Sequence, residues 1–125
     1  MSLILSACFL LASSYAFAEK KPVSVDTQLA SILLNFEFYL ASNERRYLQK
    51  ISKDKSITEN QRTLVKSLIN VQHKALYSDL PKLEKVMNDD KASVVEQEIA
   101  YILHRMRFKP SKADKILLRK IVLNK

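Results

Sequence analysis

The side chains that most often carry catalysis or bind metal are sparse in this chain: two histidines, His73 and His104, and one cysteine, Cys8. The histidines stand 31 positions apart and belong to no HExxH or HxxxH pair, so no single helix face offers two zinc ligands. Glu96 and Glu98 do not form a facing acid pair, because residues two apart on a helix point in different directions. The 125 residues contain no glycine. That excludes the GxSxG nucleophile turn, the dinucleotide fingerprint and the P-loop, all of which need glycine for a tight turn or for close backbone approach to phosphate. The residue types assign no catalytic, cofactor-binding or metal-binding role. A protein that acts by contact, not as an enzyme, is the expectation.

Charge indicates where such contact would occur. Residues 19–98 hold 13 basic and 12 acidic side chains, a net of +1, whereas residues 99–125 hold eight basic side chains against Asp114 alone, a net of +7. Arg105, Arg107, Lys112, Lys115 and Arg119 are therefore the expected contact cations, steering an acidic protein partner. An anionic envelope surface of lipid or lipopolysaccharide is the alternative, and a merely solvated face the bland reading. Nucleic acid is not expected for an exported chain. Four aromatic residues gather in one predicted helix: Phe36, Phe38, Tyr39 and Tyr47. Phe36 continues an apolar stripe, but Phe38 and Tyr39 fall to its sides. They are either buried between two flanking helices or form a contact surface, with a homodimer among the options.

The first 18 residues, MSLILSACFLLASSYAFA, carry no charge, and every Lys, Arg, Asp and Glu lies from Glu19 onward. A short apolar run followed by Ala16-Phe17-Ala18 predicts a signal peptide over 1–18 and a mature single helical domain over 19–125, in the periplasm. The run is too short for a membrane-spanning helix. Leu5-Ser6-Ala7-Cys8 is also similar to a lipobox, but Phe9-Leu10-Leu11 after it is not a polar tether. Cleavage after Ala18 would remove Cys8, leaving no disulfide or thiol chemistry.

An average chain of this length would hold about nine glycines, and without them the φ > 0 positions of tight hairpins have no ready occupant. The elements must then be helices. Apolar residues at Leu29, Ile32, Leu33, Phe36, Leu40, Leu48 and Ile51 predict one long helix capped by Asp26, ending in the polar connector 52–56. A second is predicted from Thr58 through Leu68 to Leu76, with Pro81 breaking it and a short helix following to Met87. Ser93-x-x-Glu96 opens another, stopped by Lys109-Pro110, and Ser111-x-x-Asp114 opens the last. No internal repeat is evident. Short connections favour antiparallel neighbours, so the predicted fold is all-α, a compact up-and-down bundle of four to five helices.

Ile57-Thr58-x-x-Gln61 resembles the LTxxQ signature of the Spy and CpxP periplasmic chaperones, small basic helical proteins that cradle unfolded clients. The resemblance covers five residues, has Ile in place of Leu and lacks the second copy, Phe108–Lys112 having neither Thr nor Gln. It implies a chaperone. Thr58 and Gln61 also satisfy a capping box, S/T-x-x-E/Q, which by itself explains their spacing. The functional expectation is a non-enzymatic accessory factor of an envelope process or an immunity-type inhibitor. Its contact residues are the basic set with Phe38 and Tyr39.

Overall fold

The computed structural model describes residues 24–124, so the expected signal peptide and Cys8 lie outside the described residues. The described chain is all-helical, with six α-helices and no strand. They are α1 (Val25–Leu34), α2 (Ser42–Ile51), α3 (Glu59–Asn70), α4 (Leu80–Met87), α5 (Val94–Arg105) and α6 (Lys112–Leu123). None is long and apolar enough to cross a membrane.

The long helix expected from Asp26 to Ile51 is two helices. It breaks at Asn35, and the second expected helix likewise ends at Asn70, before Ala75 and Leu76. Periodicity runs through the first break because Phe36 and Leu40 stay buried while the backbone between them leaves the helix. At the centres of the α1–α2, α3–α4 and α5–α6 turns stand Phe38, His73 and Phe108, with φ of 68°, 68° and 65°. Positive φ is uncommon outside glycine, and for bulky side chains it is a genuine outlier.

Positions 38, 73 and 108 are 35 residues apart, and the same interval runs through the core. Leu29, Leu64 and Ile99 are buried, as are Leu33, Leu68 and Leu103, then Phe36, Val71 and Met106, then Leu48, Leu83 and Leu118. The chain is therefore three helical hairpins in one register, which corrects the expectation that there is no repeat. Residue identity hides it: only Leu33/Leu68/Leu103, Leu48/Leu83/Leu118 and Lys50/Lys85/Lys120 are the same in all three. What repeats is the pattern of burial.

The inner helices α1, α3 and α5 meet one another, and each outer helix packs on the inner helix of the next hairpin: α2 on α3, α4 on α5, α6 on α1. The last contact closes the ring. The architecture is thus a closed, pseudo-threefold ring of six helices in place of an up-and-down bundle of four or five. Each fully buried leucine contributes about 1.5–3 kcal/mol relative to exposure, so the shared register places comparable driving force in every hairpin. The middle outer helix begins differently, as a 3₁₀ turn at Tyr77–Asp79. Pro81 is the reason, since it has no N–H to donate to the Tyr77 carbonyl, which accepts from Leu80 instead.

Two poles lie on the ring axis. At one, the three positive-φ turns meet. At the other, the loop pole, the inner helices begin, capped by Ser24, Thr58 and Ser93, whose side chains accept from the backbone N–H of Thr27, Gln61 and Glu96.

Candidate functional site

At the turn pole the backbone closes on itself. Phe38 N–H donates to the Phe108 carbonyl (2.7 Å), Phe108 N–H to the His73 carbonyl (2.6 Å), and His73 N–H to the Phe38 carbonyl (3.2 Å). The triangle satisfies every backbone polar group of its three residues, an obligation for groups held away from water. Two turns are also closed across a single residue, Tyr39 N–H to the Glu37 carbonyl (2.8 Å) and Lys109 N–H to the Arg107 carbonyl (2.6 Å). A three-residue turn with positive central φ is the rare and strained form. Strain of this kind costs on the order of 1–3 kcal/mol per residue and persists only where surrounding structure over-determines it.

The side chains of these residues form an aromatic platform over the triangle. Ring centroids of Phe38 and Phe108 lie 5.6 Å apart, His73 and Phe108 5.6 Å, Phe38 and His73 5.9 Å, all tilted or edge-on. Tyr39 adds a fourth ring, 4.9 Å from that of His73, with its hydroxyl 3.3 Å from His73 Nε2. His73 Nδ1 is buried without a hydrogen-bond partner. A neutral imidazole protonated at Nε2 donates to the Tyr39 oxygen and leaves only a lone pair unmet, the less costly of its two tautomers. The platform faces solvent: Phe38 is 41% exposed, Phe108 52% and Tyr39 63%. The alternative that Phe38 and Tyr39 are buried between two helices is not what the structure shows.

Comparison of the chain with protein-family models, with curated proteins and with solved structures returns no match. The site must be read from its own chemistry.

Around the rings the three turns differ in charge. Glu37-Phe38-Tyr39 is acidic, Gln72-His73-Lys74 carries one cation, and Arg107-Phe108-Lys109 carries two, with Lys112 opening α6 just beyond. The five expected contact cations divide accordingly. Arg107 belongs to the pole, its Nη1 donating to the carbonyls of Arg105 (3.2 Å) and Met106 (3.1 Å), where a cation complements the C-terminal end of α5. Lys112 is exposed at the start of α6, and Lys115 and Arg119 follow one and two turns along it, leading away from the pole. Arg105 is engaged within the fold. Its guanidinium pairs with both oxygens of buried Asp114 and lies 4.0 Å over the Tyr101 ring. The hydrogen bond to Asp114 holds its pKa above the ordinary arginine value. Asn70 and Asp79, one repeat earlier, make the same contact at 3.0 Å, which marks the Arg105–Asp114 pair as a fold element.

His104 lies apart from His73 and pairs with Glu84 at 3.0 Å. Among the described residues no three His, Cys, Asp or Glu side chains gather as metal ligands do. The residues of the LTxxQ resemblance sit at the other pole. Thr58 and Gln61 form the capping box, Thr58 N–H donating to Gln61 Oε1 (2.9 Å) and Gln61 N–H to the Thr58 hydroxyl (2.9 Å). Both residues also reach other hairpins: the Thr58 hydroxyl donates to Glu96 Oε2 (2.9 Å) and Gln61 Nε2 to Asp26 Oδ1 (3.2 Å).

Of the expected contact residues, Phe38, Tyr39 and Arg107 stand at the pole, and His73, Lys74, Phe108 and Lys109 join them there without being among those expected. The signal that finds them is the 35-residue interval itself, which carries Phe38 onto His73 and Phe108.

Proposed function

We propose that the protein is a non-enzymatic binding protein that presents the turn pole to an acidic segment of another protein. One observation carries the reading. Three residues are held at positive φ, where glycine would cost nothing, yet all three are ring-bearing residues whose side chains form one exposed platform. A chain that spends conformational strain there keeps the rings for what they touch. Aromatic residues with arginine at the centre of a patch are what binding hot spots are made of, and Lys74, Arg107, Lys109 and Lys112 make the charge requirement on the occupant negative.

Two further considerations favour a protein partner. The rings are half-buried and packed tilted or edge-on against one another, so they form a low-entropy surface more than a set of side chains free to insert among lipid tails. Two copies meeting pole to pole would set the cations against themselves, which disfavours a homodimer through this face. With the charge-free leader read as an export signal, the setting is the periplasm, and the role is that of an envelope accessory factor or an immunity-type inhibitor.

The test is capture from a periplasmic extract by the immobilised full chain, with every captured protein identified. Wild type should retain an acidic protein whose capture weakens as salt rises, and both Phe108→Ala and the pair Lys109→Glu with Lys112→Glu should lose it. Capture unchanged in those variants would remove the turn pole as the site. Co-sedimentation with phosphatidylglycerol vesicles, lost in the same variants, would assign the pole to lipid instead.

A further inference from the structure

The three edges of the aromatic triangle are equivalent in the fold but not in what fills the notch beside them. Between the first and second hairpins the notch is occupied by Arg45, whose Nη1 donates to the Ile69 carbonyl at 3.0 Å. One repeat on, position 80 is a leucine, whose side chain has no donor for the carbonyl of His104, the counterpart of Ile69. A cavity of about 230 Å³ remains there, lined by Lys74, Ala75, Tyr77, Leu80, His104 and Arg107. It adjoins the His73–Phe108 edge of the platform, since Lys74 and Arg107 are the sequence neighbours of those two ring residues.

The walls of this cavity have one sign. Lys74 and Arg107 make no ion pair among the described residues. Arg107 is already positioned, its Nη1 anchored on two backbone carbonyls, with its remaining N–H groups still to be satisfied. Tyr77, a lining residue that is 86% exposed, adds a phenol as a further donor. No carboxylate is among the lining residues, and Glu84 lies 3.0 Å from the Nε2 of His104. A pre-positioned guanidinium, an unpaired ammonium and a phenol around a small space suit a carboxylate, which accepts charge-assisted hydrogen bonds from all three.

We infer that the notch between the second and third hairpins is a specificity pocket that receives an Asp or Glu side chain of the bound segment, while an apolar side chain of the same segment lies on Phe38 and Phe108. The inference rests on the proposed role of the turn pole and names the chemistry of what binds there. The pocket is why the occupant must be acidic at one defined position and not merely negative overall.

Selection of a displayed library of random peptides on the full chain separates the two claims. Wild type should enrich peptides with an Asp or Glu at a fixed offset from an aromatic or large aliphatic residue. Lys74→Gln, which leaves the Arg107 cap of α5 in place, should keep the apolar preference, lose the acidic one, and bind the wild-type winners about tenfold more weakly. Lys74→Gln with Arg107→Gln should weaken them further, and Phe108→Ala should lose the apolar preference. Circular dichroism of each variant confirms that the helices remain. Acid retained at the fixed offset in both glutamine variants, or wild-type winners with no fixed acid, would overturn the pocket and leave the platform standing. No enrichment at all by wild type would overturn the platform and the pocket together.

Discussion

The two poles of the ring are built at equivalent ends of the same three hairpins, yet they resolve their local problems in opposite ways. At the loop pole, positions 26, 61 and 96 carry Asp, Gln and Glu, and short polar side chains cap the helices that begin there. Local sequence and tertiary contact agree. Thr58 caps its own helix and also bonds Glu96 of the next hairpin. At the turn pole they disagree: three ring-bearing residues adopt a backbone conformation their side chains disfavour, and the triangle of amides between hairpins helps hold them there. Agreement across levels marks the parts of a protein that exist to be stable, and conflict tolerated at one place marks where something else is being kept. In this ring the loop pole serves the fold, and the proposed binding role falls to the turn pole.

The strongest way to break that contrast is at Glu96. It is 5% exposed and accepts from the Ser93 N–H at 2.7 Å and from the Thr58 hydroxyl at 2.9 Å. Glu96→Ala leaves both donors without their acceptor, which should lower stability by about 2–3 kcal/mol in urea denaturation. Peptide binding at the turn pole should be unchanged under conditions where the variant remains folded. A binding loss comparable to the stability loss would show that the poles are one cooperative device.

Phe108→Gly sharpens the contrast from the other side. The substitution relieves the positive-φ penalty, a gain of about 1–2 kcal/mol. It also gives up contacts that a half-exposed ring makes with Phe38 and His73, worth a similar amount. Stability should therefore stay within about 1 kcal/mol of wild type while binding of selected peptides falls by about tenfold or more. A stability loss above about 2 kcal/mol would mean that the rings clamp the fold, and the reason to assign them a partner would disappear.

The same contrast explains what could be read from the sequence. Features of the loop pole are local, so they were legible: the Thr58–Gln61 and Ser93–Glu96 boxes are observed, although the first helix is capped by Ser24 and not by the expected Asp26. The Ser111 cap and the helix around Pro81 to Met87, equally local, are observed as well. The backbone geometry of the turn pole was not legible, because its turns lack the glycine or asparagine that announces positive φ. Phe38, His73 and Phe108 keep their conformation through hydrogen bonds to residues 35 or 70 positions away, and no window along the chain contains them. The apolar stripe across Phe36 and Leu40 continues through the break, so periodicity predicted one helix where there are two. Charge counting found the basic third hairpin but could not show that Arg105 is consumed by Asp114 while Arg107 is not.

The smallest expected effect tests whether the loop pole is fully optimised. Burial holds the Asp26 carboxyl above its ordinary pKa, the Gln61 hydrogen bond works against that rise, and the negative charge of Glu96 adds to it. In the unfolded chain the group titrates near 3.9. Its folded value is higher, so between the two values the folded chain binds the proton more readily and stability falls as pH rises. Above the folded value the penalty is constant, and below the unfolded one it is absent. Asp26→Asn keeps an oxygen for the Gln61 amide and removes the charge. The variant should be slightly more stable than wild type at neutral pH, by less than about 1 kcal/mol for a partly solvated group. Its advantage should shrink as pH is lowered toward about 4 and vanish below that, a difference that urea melts at several pH values would measure. An advantage independent of pH would show that the substitution acts through packing. A loss at neutral pH would show that the Asp26 charge supports the cap cluster, and the loop pole would then hold no residual conflict at all.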